Sequence, residues 1–336
     1  MSSSADSTGV IVLYNVSDKL VVGEARDLPA EQDVITYAKA VVTALQEAGY
    51  SVVELPFHGD VETALAPYPA ADWIIFNLAE GVEGKLFEEA RIAWALEAMG
   101  YRFTGNTGDA LATSTHKVRA KKRLTAAGIP TPTGWLFRPG EGVHPPPDLP
   151  FPLIVKPVAE DASLGIGPNA VVRDVEALRR QVAYITSQYR QAALAERFIV
   201  GRELNLALWG EPPEILPIAE IDFSAFRDPL QQFVSFSAKW ESDSFEYRHT
   251  PVRCPAELDQ PTRRWLEEIG HRAWRAIGCR GYARVDVRMS PDGVPYVVEV
   301  NCNPDLAPEA GFFRSAKAAG FTYAQMINRI LAMAWP

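Results

Sequence analysis

One stretch near the C-terminus constrains the chain more than any other. It runs Ala283-Arg-Val-Asp-Val-Arg-Met-Ser-Pro-Asp-Gly-Val-Pro-Tyr-Val-Val-Glu-Val-Asn-Cys-Asn-Pro-Asp305. Two runs rich in Val and Tyr flank Pro291-Asp292-Gly293, a turn sequence, and the pattern predicts a β-hairpin over residues 282–301. On a strand, Glu299 and Asn301 lie two apart and point to the same face. Asp286 lies across the turn and can join them. Two carboxylates and an amide oxygen are hard ligands, of the kind that hold Mg²⁺ (or Mn²⁺) together with a nucleotide phosphate. A surface hairpin with solvated acids is the plain alternative. Against it, the acids sit among Val and Tyr, where an unpaired charge is costly.

The rest of the chain has the bulk to support such a site. Its 336 residues suffice for two or three domains, and 47% of them are hydrophobic, enough for a large core. The net charge of −9 and the lack of a basic tract argue against a nucleic-acid partner. Cys254, Cys279 and Cys302 have no metal-type spacing, and their odd number fits reduced thiols. The polar start shows no signal peptide, and no run approaches the ~20 apolar residues of a membrane span. The expectation is a cytoplasmic protein with neither nucleic-acid nor membrane partners.

In chain order, Gly9–Tyr14, Tyr50–Leu55 and Asp72–Asn77 read as strands. They alternate with helices at Glu31–Ala48 and Glu88–Met99, which predicts a small parallel α/β unit. Ligands of such sheets lie beyond the strand C-termini, where Asn77–Gly84 falls. Asp18–Pro29 reads as a loop, and His116–Ala127 as a basic helix. A Pro- and Gly-rich surface loop follows at Pro139–Pro152. The helix Pro261–Ile277 carries Trp265, Ile269 and Ala273 as an expected core stripe.

Several residues in between carry charge in places that ask for a partner. Lys156 ends the apolar run Leu153-Ile-Val, so its stem is packed and its ammonium must meet an anion. A phosphate and a structural salt bridge both satisfy that. The segment Glu160-Asp-Ala-Ser163-Leu-Gly165-Ile-Gly167 sits between two strands. There glycines let backbone N–H groups approach phosphate and Ser163 can donate, or the segment is an ordinary turn. Glu196-Arg-Phe-Ile199-Val-Gly-Arg-Glu203 and Phe236-Ser-Ala-Lys239-Trp240 follow.

Lys117, Lys156, the loop 160–167, the run 196–203, Lys239 and the hairpin occur in an order and at distances that resemble the ATP-grasp enzymes. Within these, the chain looks most like the D-alanine–D-alanine ligase branch, from about Trp73 to the C-terminus. The resemblance implies an α/β chain with an ATP-grasp fold. An N-terminal parallel α/β domain covers residues 1–108. Two α+β subdomains that clasp ATP follow, the lid at 109–194 and the catalytic subdomain at 195–336. By resemblance, Lys117 and Lys156 hold phosphates, Glu196 and the backbone at Ile199 read adenine, and Glu203 binds the ribose hydroxyls. The loop with Ser163 is a lid, and Lys239 meets the γ-phosphate. Arg284 steadies an acyl phosphate and the tetrahedral intermediate, and Asp286, Glu299 and Asn301 hold Mg²⁺ or Mn²⁺.

The implied activity is ATP-dependent, ADP-forming ligation of a small-molecule acid, an amino acid or small peptide, to an amine. A homodimer is compatible with it. A ligase for a larger peptidyl or carrier-bound acid, or a nucleotide-binding regulator without turnover, would use the same frame. The amino-acid pocket departs from D-alanine–D-alanine ligases. Two lid serines become Ala162 and Ser163, and a tyrosine becomes Trp240. The glycine after the metal motif becomes Asp305, and a Ser-Leu pair becomes Ala310-Gly311. No counterpart of an early Glu–Ser motif stands in residues 10–30. Cys302 reads as packing. The sequence leaves open whether Glu80, Trp240 and Asp305 line the substrate pocket.

Overall fold

The computed structural model describes residues 8–16, 23–24, 27–80 and 87–334. Residues 81–84 of the expected substrate-side loop, residues 18–22 and 25–26 of the expected Asp18–Pro29 loop, and the N-terminal residues read for a signal peptide lie outside them.

Three sheets follow one another along the chain. The first is parallel throughout. Its strands are β1 (Gly9–Asn15), β2 (Val52–Phe57), β3 (Trp73–Asn77) and β4 (Arg102–Phe103), in the order β2-β1-β3-β4. Every residue of β1 is buried, as expected of an apolar run in the middle of a sheet covered on both faces. The helices α1 (Leu28–Glu47), α2 (Val61–Leu65) and α3 (Glu88–Ala98) connect these strands. Two further helices, α4 (Gly108–Thr115) and α5 (Lys117–Ala126), lead out of the sheet.

The second sheet is antiparallel, in the order β5-β8-β6-β7. It is built from β5 (Gly134–Phe137), β6 (Leu153–Pro157), β7 (Val171–Val172) and β8 (Ala193–Arg197), with α6 (Val175–Gln188) packed on it. Its core joins Leu153, Val155, Leu178, Val182 and Ile185.

The third sheet has the order β12-β11-β9-β13-β14, with β10 beside β9. Its strands are β9 (Arg202–Trp209), β10 (Glu214–Ile215), β11 (Ala219–Ile221), β12 (Val252–Arg253), β13 (Tyr282–Met289) and β14 (Pro295–Asn301). The hairpin read from the sequence is β13–β14. Two short helices, α7 (Phe236–Trp240) and α8 (Phe245–Arg248), lie between β11 and β12, and α9 (Gln260–Ile277), α10 (Gly311–Ala318) and α11 (Tyr323–Ala332) complete the chain. Gly201, between β8 and β9, has φ 135°, and a Cβ there would lie 2.0 Å from the Met289 carbonyl oxygen. Only glycine lets the link from the second sheet to the third run this close to β13.

The stripe expected on α9 holds at Ile269 and Ala273 and fails at Trp265. Leu266, Ile269, Gly270, Ala273 and Ile277 face the core, whereas Trp265 is 42% exposed. Leu266 takes the core position at the edge of this i, i+3, i+4 face, which turns the neighbouring Trp265 outward. Lys239 stands on a helix, α7. Ser235 caps α7, its hydroxyl accepting from the Ala238 amide at 3.2 Å. A serine three residues before a donor competes with strand pairing in just this way. No helix of the described residues is long and apolar enough to cross a membrane.

Candidate functional site

Strand alternation builds the floor of the cleft. On β13, Val285 and Val287 are fully buried in the core, so Arg284, Asp286 and Arg288 take the other face. The register pairs Asn205 of β9 with Asp286, and Asp286 in turn with Glu299 of β14. Glu203 pairs with Arg288, and Arg284 with Asn301. A bulge after Asp286 brings Val298 to the cleft beside Glu299, while Val297 and Val300 stay in the core. The hairpin thus delivers Asp286, Glu299 and Asn301 to one surface, as its sequence predicts.

Every acid of that surface meets a cation. The Arg284 fork donates to both oxygens of Asp286, at 2.7 and 2.8 Å, and Asn205 donates to the same carboxylate at 2.7 Å. Lys117, buried at the start of α5, lies 3.2 Å from Glu299 and 4.0 Å from Asp161. Burial works against the Glu299 charge, yet Lys117, then Lys156 and Arg284, hold its carboxyl down at about 2. Asp161 is pushed up to about 6 by burial, against the pull of Lys117.

Lys156 finds its anion in Glu196, at 2.5 Å, and Lys121 takes the other oxygen at 2.7 Å. The carboxylate expected at adenine is thus clamped between two lysines, which overcome its burial and lower its pKa. Arg288 donates to Glu203 at 2.8 Å, to the Ile199 carbonyl at 2.9 Å and to the Gln232 carbonyl at 2.6 Å. It therefore ties the two expected nucleotide-reading positions together. Burial raises the pKa of Glu203 although Arg288 opposes it.

The loop 160–167 closes over this floor. Ala162 and Ser163 adopt positive φ, 54° and 62°. Gly165 has φ 75°, and a Cβ there would lie 2.7 Å from Pro157. The Ser163 hydroxyl donates to the Val234 carbonyl at 3.1 Å, and the Phe236 amide to the Ile166 carbonyl at 2.8 Å. The Trp240 indole N–H donates to the Ala162 carbonyl at 2.9 Å. Lys239 lies with its ammonium 5.0 Å from the Trp240 ring centroid. Burial and then Arg284 lower its pKa, while Asp305, Glu80 and Asp161 oppose the shift.

A cavity of ≈ 280 Å³ runs between floor and loop. Its lining combines the apolar Phe198, Ile199 and Phe233 with Lys156, Ser163, Lys239, Arg284 and Glu299. Glu80, three residues beyond the end of β3, and Asp305 act electrostatically on Lys239 and on Tyr37. Cys302 packs against Cys279, sulfur to sulfur 3.5 Å, both buried.

The donor set suits a hard divalent cation. Asp286, Glu299 and Asn301 offer oxygen only, with no sulfur or imidazole. They line the same cavity as Lys156, Lys239 and Arg284.

Four residues of this site were not read from the sequence: Lys121, Asn205, Arg288 and Glu89. Lys121 follows Lys117 by four on α5, hence shares its face. Asn205 follows Glu203 by two on β9, and Arg288 follows Asp286 by two on β13. Those spacings were the available signals. Glu89 was hidden in the first turn of α3. It is buried, accepts from the Thr115 hydroxyl, and is pushed up to about 8 by burial and then by Asp161.

Comparison with known proteins fits this geometry. The family described as D-ala D-ala ligase C-terminus matches residues 139–332. An uncharacterized protein of Sinorhizobium fredii, y4sG, is 34% identical over 306 residues, 88% of this chain and 87% of its own. A D-alanine–D-alanine ligase of Geobacter sulfurreducens is 32% identical over 314 residues, 91% of each chain. Among solved structures, a D-alanine–D-alanine ligase from Bacillus anthracis complexed with ATP superposes with a TM-score of 0.75 at 21% identity, covering 97% of both chains. The VanG D-Ala:D-Ser ligase of Enterococcus faecalis gives 0.69 at 18%, covering 97% of this chain and 99% of its own. The chain has the ATP-grasp fold and belongs to the D-alanine–D-alanine ligase family, whose members are ATP-grasp ligases that form amide bonds.

Proposed function

We propose that the protein joins a small carboxylic acid, an amino acid or short peptide, to an amine, the pair being other than D-alanine with D-alanine, with ATP becoming ADP and phosphate. The observation that carries this reading is that Lys156, Lys239 and Arg284 line one cavity with the acids Asp286 and Glu299, while Arg284 pairs with Asp286 and Lys117 with Glu299.

In this reading Asp286, Glu299 and Asn301 hold Mg²⁺, which neutralises phosphate charge when bound. Lys156 and Lys117 face the nucleotide phosphates. Arg288 sets the Glu203 carboxylate toward the ribose and fixes the backbone at Ile199 beside adenine. The acid's carboxylate oxygen takes the γ-phosphoryl group of ATP. Lys239 and Arg284 stand where negative charge grows, and fixed cations there are the main lever of phosphoryl and acyl transfer. The amine nitrogen then attacks the acyl carbon and phosphate leaves. The loop 160–167, tied down through Ser163 and Trp240, excludes water from the reactive anhydride.

The exclusion of D-alanine as the pair of substrates rests on Ala162, Trp240, Asp305 and Ala310. The serine–tyrosine link expected of a D-alanine–D-alanine ligase is replaced by an indole N–H on a backbone carbonyl. A missing hydrogen bond to a charged group costs ~1.5–3 kcal/mol. ADP release measured over a panel of acids and amines, with D-alanine alone included, tests this. Efficient turnover of D-alanine alone would overturn it, and some other pair must give faster release.

A further inference from the structure

The C-terminal end of α6 makes two grips to which the proposed mechanism assigns no role. One reaches back to the first domain. Tyr189 ends α6, and its ring packs in the core of the second sheet with Leu178, Val182 and Ile185. Its hydroxyl leaves that core and donates to Asp27 at 3.1 Å, across 162 positions of the chain. Both residues are buried, so water does not compete for the bond.

Asp27 stands at the N-cap of α1 yet makes no side-chain cap there. An aspartate in that position ordinarily accepts from the first amides of its own helix. Here the carboxylate takes the Tyr189 hydroxyl and, at 2.8 Å, the Glu24 amide. The Gly23 amide adds a second bond between the domains, donating to the Gln188 carbonyl at 3.2 Å. Gly23 has φ 100°, and a Cβ on it would lie 2.6 Å from the Asp27 carboxylate and 3.4 Å from the Tyr189 ring. The missing side chain is what lets the chain ahead of α1 come this close to α6.

The other grip starts two residues further on. Arg190 turns the chain at φ 51°, and the buried Gln191 reaches the root of the loop 160–167. Its side-chain oxygen accepts from the Ala159 amide at 2.8 Å, and its side-chain nitrogen donates to the Glu160 carboxylate at 2.6 Å. Lys117, which lies 3.2 Å from Glu299, donates to the Glu160 carbonyl. The root of the loop is thus held from α6 on one side and from the expected metal site on the other. Tyr189 and Gln191 are separated by at most ~7 Å of chain, so the docking point of the first domain and the root of the loop cannot shift far independently.

We propose that Tyr189 and Gln191 are positioning residues, through which the docking of Gly23 and Asp27 on α6 sets the loop 160–167 over the nucleotide phosphates. The proposal rests on the ligase reading, in which that loop covers the phosphates, and adds that the first domain controls its closure. Water is then kept from the reactive anhydride only while the first domain is docked, and release of Tyr189 from Asp27 opens the cleft.

Tyr189→Phe keeps the ring in the core and removes only the hydroxyl. Amide exchange of the full chain without nucleotide, read by mass spectrometry, measures the result. Exchange should quicken about fivefold in the peptide spanning Gly23 and Asp27 and in residues 160–167, whose root bonds to Gln191 rather than to Tyr189, and stay unchanged within α6. Gln191→Met keeps the bulk and removes both bonds to the loop root. In that background, adding Tyr189→Phe should change loop exchange by less than about twofold. Four results overturn the proposal: quickening at Gly23 and Asp27 alone, quickening nowhere, equal quickening within α6, or a full effect of Tyr189→Phe in the Gln191→Met background. Exchange with MgADP present separates the two claims. MgADP should slow the loop in wild type. A loop that MgADP leaves unchanged strikes the ligase reading, whereas a loop that MgADP slows but Tyr189→Phe does not affect strikes only this proposal.

Discussion

The guanidinium of Arg284 grips both oxygens of Asp286, at 2.7 and 2.8 Å, from two residues away on the same strand face. The expected metal ligand and the expected acyl-phosphate cation thus hold each other. Removing one leaves the other half-buried and unpaired, which is destabilising. Asp286→Asn should therefore abolish turnover and also lower stability by about 1–3 kcal/mol in the absence of Mg²⁺. From sequence alone, a change of ligand without change of shape predicts little effect on melting; the ion pair revises that. Urea unfolding without metal checks it, and unaltered stability would mean the pair contributes nothing to the fold.

Lys156 and Lys121 share one carboxylate, Glu196. Lys156→Ala should weaken binding of a non-hydrolysable ATP analogue by about tenfold or more, some 1.4 kcal/mol. Calorimetry reads it directly. Unchanged affinity would confine Lys156 to a structural salt bridge.

Trp240 latches the loop 160–167 through the Ala162 carbonyl. Trp240→Phe keeps the ring and removes the donor, a loss of about 1 kcal/mol. Amide hydrogen exchange in residues 160–167 should quicken by about fivefold, with the rest of the chain unaffected. Equal exchange would mean that Ser163 and the Phe236 amide hold the loop without the indole.

The hairpin was legible because a Pro-Asp-Gly turn and period-two alternation admit few other structures, and the three expected metal ligands do share its cleft face. The parallel first sheet was legible because its strands are short apolar runs between helical stretches. What escaped the sequence depends on long-range register. Asn205 and Arg288 matter because β9 pairs with β13 across residues far apart in the chain, and no local pattern states that pairing. Lys121 is one of several basic residues on α5, and only the packing of that helix beside β8 sets it apart by bringing it to Glu196. Trp265 misled because a large apolar side chain was taken for core, whereas single exposed aromatics are common on protein surfaces.

Glu89 gives the pH dependence. Burial, then the charge of Asp161, pushes its carboxyl up to about 8 from 4.5. The folded value lies above the unfolded one, so the folded state keeps a proton that the unfolded state loses between them. This contribution to stability is full below about 4.5 and is lost as pH rises through about 8. Without nucleotide or Mg²⁺, wild type should lose about 1–3 kcal/mol more than Glu89→Gln between about pH 5 and about pH 9. Denaturant titrations at both ends measure it. Parallel pH profiles for the two proteins would show that Glu89 ionises as an ordinary surface acid.

In the proposed reaction a carboxylate is activated as an acyl phosphate before the amine attacks. Hydroxylamine captures such an anhydride. With the acid found by ADP release, ATP, Mg²⁺ and hydroxylamine in place of the amine, a hydroxamate should accumulate in step with ADP. Arg284→Ala should suppress both by about 10²-fold or more. ADP formed with a stable phosphorylated product and no hydroxamate would contradict the claim.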